Sequence, residues 1–176
     1  MGRMQEEFLR MSPSTCWLCK IFRAEENGIS SRLSLEDVLE WSQSFDKLIT
    51  SKYGPVIYKR YLKTEHSDEN IDFWLACEAY KKITSQRKRT AKARKLFTSY
   101  IQPQAPKEVN IDSPVRRVIV RNLKEPTESC FDEAQKIIYM HMERDSYPRF
   151  LESELYQTLK HSLQNHDNNS AAGERG

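Results

Sequence analysis

Hydrophobic residues recur every three or four positions along most of this chain, which is the spacing of one face of an α-helix. Leu35, Val38 and Leu39 begin the pattern after Ser34, a residue type that commonly caps helices. No segment alternates apolar and polar residues as a half-buried strand would. The pattern therefore predicts an all-α protein, a bundle of about nine short helices.

The same spacing places the other helices, which are separated by glycine, proline and polar residues. Phe45, Leu48 and Ile49 continue the first helix towards a stop at Tyr53-Gly54-Pro55. The remaining predicted helices are a short one after Pro55, one capped by Ser67, a basic one over residues 87–101, and three with apolar stripes at 115–123, 131–142 and 147–155.

Composition sets the predicted domain boundaries. We expect an N-terminal extension at residues 1–33, one domain at 34–163 and a disordered C-terminal tail at 164–176. The net charge of +3 is too small to indicate a nucleic-acid partner. No run approaches the length of a membrane-spanning helix, and four cysteines without an export signal indicate a reducing, cytoplasmic setting.

Glycine content argues against a nucleotide site. A phosphate-binding loop needs several glycines, but of the five in the chain only Gly54 falls inside the predicted core. Motifs of serine hydrolases, zinc proteases and calcium loops are also missing from the sequence. We therefore expect no catalytic residue, no metal and no cofactor.

The Cys16-Trp17-Leu18-Cys19 segment lacks a histidine pair at zinc-finger spacing. Two alternatives remain open for it. It is an ordinary amphipathic segment, or a membrane anchor in which the apolar residues insert and Cys16 and Cys19 are acylated. Cys77 and Cys130 lie on apolar stripes, where buried free cysteines are expected.

A second segment, residues 81–95, contains eight basic residues and no acidic one. A solvated helix face is the simplest interpretation, and an acidic membrane surface or an acidic protein are the functional alternatives. Nucleic acid ranks third, because no exposed aromatic residues interleave with the cations. The basic residues are Lys81, Lys82, Arg87, Lys88, Arg89, Lys92, Arg94 and Lys95.

The stretch TEHSDENIDFW, residues 64–74, concentrates acidic residues beside two large aromatic ones. Ser67 is a suitable helix cap, and Asp68 and Glu69 would lie at the positive end of the helix dipole. Glu65 and His66 precede the cap, so capping explains only part of the pattern.

Two further polar positions could also be either local structural residues or functional ones. Asn110 lies in a loop before Asp112, which is a predicted helix cap, and a loop asparagine is usually a turn former. Asp145 or Ser146 is expected to cap a helix at a junction, with Arg149 as a surface charge.

Four motifs together carry a family resemblance. The segments EHSDENIDFWLACEAYKK, EVNIDS, EPTESCFDEAQ and MERDSYPRFL, in this order, closely resemble the regulator of G-protein signalling (RGS) domain over roughly residues 44–160. The resemblance implies a helical bundle and a GTPase-activating activity towards heterotrimeric G-protein α subunits. It also implies that the active or transition-state form of the α subunit, which carries GTP and Mg²⁺ itself, is the partner.

The resemblance also implies a contact surface for the switch segments of the α subunit. Asn110 is expected to reach towards the partner's catalytic glutamine, and Asp145 to contact a switch backbone group or hydroxyl while Arg149 orients it. The implied contact residues are Glu65, His66, Ser67, Glu69 and Asn70, then Asn110, then His141, Arg144, Asp145, Ser146 and Arg149.

The mechanism implied is preferential binding of a transition state. A G-protein α subunit supplies its own arginine, Mg²⁺ and water-orienting glutamine, so its activator needs no arginine finger. We expect inhibitory-class and phospholipase-coupled α subunits as partners, and a monomer at the cytoplasmic face of the plasma membrane with the nucleus as a second location. The rival functions are a helical scaffold that binds signalling proteins without accelerating hydrolysis, and an RNA- or lipid-binding protein.

Overall fold

The computed structural model describes residues 33–173, and every regular element within that range is helical. The all-α prediction is therefore confirmed for this part of the chain. It contains nine α-helical segments and two π-helical turns, one at Phe97–Ile101 and one at Met142–Ser146. The α-helices are α1 (Leu35–Glu40), α2 (Phe45–Thr50), α3 (Gly54–Thr64), α4 (Glu69–Lys81), α5 (Gln86–Leu96), α6 (Ser113–Asn122), α7 (Asp132–His141), α8 (Tyr147–Glu152) and α9 (Glu154–Gly173).

Helices α1 and α2 form where one continuous helix was expected, so that prediction was wrong. Ser34 does cap α1, and its hydroxyl accepts a hydrogen bond from the Asp37 N–H while the Asp37 carboxylate returns to the Ser34 N–H. Ser44 then adopts an extended conformation and accepts a hydrogen bond from the Lys47 N–H at 3.2 Å. The second serine cap begins a new helix at a position that apolar spacing alone does not reveal.

The chain divides into two compact units. The first contains residues 33–54 and 154–173 of the described range, and the second is Pro55–Ser153. In the first unit the Tyr156 hydroxyl donates to the Val38 carbonyl at 2.9 Å, which holds α9 against α1. We expected a disordered tail from residue 164, but α9 continues to Gly173 because each added residue gains a backbone hydrogen bond once the helix is nucleated.

In the second unit, α4 and α7 are joined by a buried glutamine. Gln135 is 4% exposed, and its amide donates to the Trp74 carbonyl at 3.2 Å and to Glu78 Oε1 at 2.6 Å. Helix α8 packs on α3 through aromatic contacts, with the Phe150 ring edge-on to Tyr58 at 5.3 Å. These contacts fix the positions of the helices that carry the predicted site.

The two π-helical turns extend α-helices rather than ending them. Helix α5 continues through Phe97–Ile101, in agreement with the basic helix predicted at 87–101. Helices α7 and α8 are joined through Met142–Ser146, so neither Asp145 nor Ser146 caps a helix as expected. The wider π turn lets the helix continue into Pro148, whose missing N–H and ring would disrupt an α-helical turn.

No helix in the described range is both long enough and apolar enough to cross a membrane.

Candidate functional site

The first predicted contact segment is the tight turn between α3 and α4. The Ser67 N–H donates to the Leu62 carbonyl at 2.9 Å and the His66 N–H to the Lys63 carbonyl at 3.2 Å. This is the hydrogen-bond pattern of a Schellman motif, which ends a helix and in which the first residue after the C-cap adopts a left-handed conformation. His66 does so with φ of 55°, at a position where glycine is usual.

The Schellman motif overturns the expectation that Ser67 caps α4. Helix α4 begins at Glu69, and the preceding Asp68 already has helical backbone angles and makes no side-chain cap hydrogen bond. The Ser67 hydroxyl is instead buried and forms no hydrogen bond within the described residues. Backbone hydrogen bonds that close α3 decide the turn, so the serine side chain is not needed as a cap.

The second contact segment is Asn110, which is exposed between two buried apolar residues. Val109 is 1% exposed and Ile111 is 6% exposed, so the side chain between them faces outwards. The loop is fixed by backbone hydrogen bonds from the Val109 N–H to the Tyr100 carbonyl at 2.9 Å and from the Lys107 N–H to the Ser99 carbonyl at 3.0 Å. The predicted helix start after it is confirmed, although Asp112 makes no side-chain cap.

The third contact segment runs from His141, the last residue of α7, through the π-helical turn and into α8. Met142, Ser146 and Phe150 recur at four-residue intervals and are buried. Most residues between them, including Asp145 and Arg149, are exposed as a consequence. π-Helical turns inside α-helices occur frequently at functional sites.

These three segments line one groove with a volume of about 810 Å³. The groove lies within the second unit, and its lining residues come from positions up to 84 apart in the chain, as the hydrogen bonds between Arg149 and Glu65 show. The lining residues are Glu65, Ser67, Asn70, Asn110, Ile137, Met140, His141, Arg144, Asp145, Ser146 and Arg149.

Arg149 joins the first and third segments through its guanidinium group. It donates to Glu65 from Nε at 2.9 Å and from Nη2 at 3.0 Å, and to Asp145 from Nη1 at 2.6 Å and from Nη2 at 3.2 Å. Two carboxylates are thus held by one planar cation, a geometry that lysine cannot reproduce.

Electrostatics keep both carboxylates ionised. Hydrogen bonding to Arg149 lowers the pKa of Glu65 and that of Asp145 below their ordinary values. The Tyr61 hydroxyl also donates to Glu65, and burial together with this hydrogen bond raises the pKa of Tyr61 to about 12. The groove therefore presents fixed negative acceptors at neutral pH.

Other polar side chains of the groove have no partner within the described residues. The amides of Asn70 and Asn110 and the Arg144 guanidinium form no hydrogen bond or ion pair there. Polar groups placed together without internal partners are available to bind another molecule.

Sequence reasoning included two residues that do not line the groove and missed two that do. His66 and Glu69 lie beside it on the α3–α4 turn and on the first turn of α4. Ile137 and Met140 contribute half-buried apolar surface. Ile137 lies four residues before His141 and Met140 lies four residues before Arg144, and this helical spacing is the signal that would have placed them beside the predicted contact residues.

The other candidate sites give a mixed result. Cys16 and Cys19 lie outside the described residues. Cys77 and Cys130 are buried free thiols as predicted, and burial raises the pKa of Cys130 to about 11. Within the described range no cluster of three or more histidine, cysteine, aspartate or glutamate residues could hold a metal ion.

Two members of the basic segment have internal roles. Lys81 pairs with Glu78 at 3.0 Å, and the Arg89 guanidinium donates to the Ile83 carbonyl at 2.7 Å. The other six form no ion pair within residues 33–173 and stay candidates for an acidic partner; they are Lys82, Arg87, Lys88, Lys92, Arg94 and Lys95.

Comparison with known proteins establishes the family. A family model described as the regulator of G protein signaling domain matches residues 44–159, which is more than half of the chain. The chain therefore belongs to the RGS family and is a regulator of G-protein signalling. This agrees with the interpretation of the four sequence motifs.

Individual relatives cover most of the chain. It is 61% identical over 157 residues to "Regulator of G-protein signaling 13" of Homo sapiens, an alignment that spans 89% of this chain and 99% of that protein. The corresponding Mus musculus protein is 57% identical over 154 residues, spanning 88% of this chain and 98% of the relative. "Regulator of G-protein signaling 5" of Rattus norvegicus is 49% identical over 137 residues, or 78% of this chain and 76% of that protein.

Proposed function

We propose that this chain is a GTPase-activating protein for heterotrimeric G-protein α subunits. It accelerates hydrolysis by binding the switch segments in their transition-state conformation, and so attenuates signalling from G-protein-coupled receptors. The observation that carries the proposal is that the three contact segments implied by the family resemblance line one groove.

The chemistry of the groove suits this task. Asp145 and Glu65 are acceptors whose orientation is set by Arg149 before any partner binds. Backbone N–H groups and hydroxyls on a mobile switch segment can donate to such acceptors, and preorganisation means that little ordering is needed on the activator's side. The amides of Asn70 and Asn110 add neutral donors and acceptors.

The required energy is modest. A hundredfold acceleration corresponds to about 2.7 kcal/mol of preference for the transition state over the ground state. A few hydrogen bonds worth about 1 kcal/mol each supply that amount if they form only in the transition-state geometry.

Single-turnover hydrolysis tests the proposal directly. An α subunit preloaded with GTP is mixed with Mg²⁺ in the presence and absence of the purified chain, with no other cofactor added. We expect a rate at least tenfold higher with the chain, and an unchanged rate would refute the activity.

A scaffold that binds G proteins without accelerating them is the alternative. A pull-down separates the two functions, using the α subunit bound to GDP, to GDP with aluminium fluoride, and to a non-hydrolysable GTP analogue. Preference for the aluminium fluoride form supports activation, because this form mimics the transition state. Equal binding to all three forms supports the scaffold.

Inhibitory-class and phospholipase-coupled α subunits are the proposed partners, bound by a monomer at the cytoplasmic face of the plasma membrane. The six basic side chains without ion pairs on and beside α5 support peripheral attraction to anionic lipids. Hydrolysis assays across α-subunit classes test the first part. Sedimentation with anionic and neutral vesicles at low and high salt tests the second.

A further inference from the structure

We propose that Asp72 and Lys107 form a positioning pair that holds the Asn110 loop in the place required for activity. Neither residue lines the groove, so the pair would act through Asn110 rather than on the partner. The inference rests on the proposed function and extends it to two residues outside the contact surface.

Asp72 lies on α4, close after Asn70, and its side chain is only 11% exposed. Its Oδ2 accepts a hydrogen bond from Lys107 Nζ at 2.7 Å, and its Oδ1 accepts one from Lys59 Nζ at 2.5 Å. Burial would raise the pKa of Asp72, but the hydrogen bonds from the two lysines outweigh it and lower that pKa. The carboxylate is therefore ionised and has a cation on each oxygen.

The bond to Lys107 links parts of the chain that are 35 residues apart. Within the described residues it is the one side-chain hydrogen bond or ion pair that connects the loop 102–112 to α4. The loop has a second charged side-chain contact, the 3.1 Å pair between Glu108 and Arg116, which ties it to α6, the helix that directly follows it. Lys107 thus sets where the loop stands relative to the helix that carries Asn70.

Lys59 offers a matched control on the same carboxylate. It lies on α3, which is already held by buried side chains, including Tyr58 at 0% and Leu62 at 0% exposure. Loss of the Lys59 bond should therefore leave α3 in place. The Asn110 loop is held by the buried Val109 and Ile111, but its side-chain hydrogen bond to α4 within the described residues comes from Lys107. Loss of that bond should therefore let Asn110 shift relative to Asn70.

Small shifts of this kind matter for transition-state binding. Misplacement of a contributing group by about 1 Å can reduce a rate by roughly 100-fold. Because the backbone hydrogen bonds of Lys107 and Val109 still hold one side of the loop, we expect a smaller loss of roughly tenfold.

The experiment measures single-turnover GTP hydrolysis by an α subunit over a series of activator concentrations, for the full chain and three variants. Lys107→Gln should lower the maximal acceleration roughly tenfold, and Lys107→Arg should restore most of it. Lys59→Gln should keep wild-type acceleration. Thermal unfolding of each variant is measured in parallel, and similar midpoints for the two glutamine variants are expected.

A second comparison separates positioning from general loosening of the fold. In the Asn110→Ala background, Lys107→Gln should have little further effect on acceleration, because the side chain that it positions is gone. Equal acceleration by Lys107→Gln and Lys59→Gln would overturn the inference, and so would a full additional loss in the Asn110→Ala background. Failure of the wild-type chain to accelerate hydrolysis would overturn the proposed function and this inference with it.

Discussion

Removal of the Asn110 amide should abolish most of the acceleration while leaving the fold intact. The Asn110 side chain is exposed and forms no hydrogen bond within the described residues. Its neighbours Val109 and Ile111 anchor the loop through buried apolar contacts that Asn110→Ala does not change. We expect the free energy of unfolding to change by less than about 1 kcal/mol, as for other surface substitutions.

The functional loss follows from the hydrogen-bonding capacity of an amide. If two of its groups bond to the partner only in the transition state, at about 1 kcal/mol each, alanine loses about 2 kcal/mol of differential binding. That amount corresponds to roughly a 30-fold lower rate.

The assay compares Asn110→Ala with Asn122→Ala, a matched change at an exposed asparagine on the last turn of α6. Single-turnover hydrolysis gives the rate, and urea denaturation gives the stability. Asn122→Ala should behave as wild type in the hydrolysis assay. A loss of stability above about 2 kcal/mol in Asn110→Ala would show a structural role, and full acceleration by this variant would refute the reasoning.

Two further predictions concern stability. The free energy of unfolding of His66→Gly should lie within about 0.5 kcal/mol of the wild-type value, because relief of the backbone strain at φ of 55° offsets the entropy that glycine adds to the unfolded chain. His66→Val should lose about 1 kcal/mol or more, because a β-branched residue disfavours this conformation. Equal stability of both variants in urea denaturation would show that residue 66 does not adopt the left-handed conformation. Arg149→Gln should lower the thermal midpoint by a constant amount between about pH 8 and pH 5. Arg149 lowers the pKa values of Glu65 and Asp145 in the folded state. The stabilisation from these two carboxylates is therefore present above their unfolded pKa values and is lost as the pH falls through the folded ones. A difference that persists unchanged below about pH 3 would contradict this assignment.

Local interactions explain which parts of the fold were predictable. Apolar spacing identified the helices of the second unit, and Ser34 and Asp112 marked helix starts correctly. The errors fell where one local signal competed with another. Ser67 is a residue type that commonly caps helices, but the Schellman motif that ends α3 determines that turn. Asp145 and Ser146 are also common capping residue types, yet both lie within a π-helical turn through which the helix continues.

The candidate site was predictable only through the family resemblance. Periodicity gave no reason to group Glu65, Asn110 and Asp145. Helical spacing relates Ile137 and Met140 only to His141 and Arg144, which are on the same continuous helix. The bidentate arrangement of Arg149 between two carboxylates depends on where α3 and α8 pack against each other.

Sequence alone determined the helical class, most helix positions and, through its four motifs, the family. These features depend on hydrogen bonds and side-chain spacing within a few residues, which a linear pattern records directly. The tertiary structure decided that the three contact segments form one groove, that Arg149 orients two acceptors, and that Asp72 reaches the Asn110 loop through Lys107. Those features join residues tens of positions apart, and only the packing of buried side chains brings such residues within hydrogen-bonding distance.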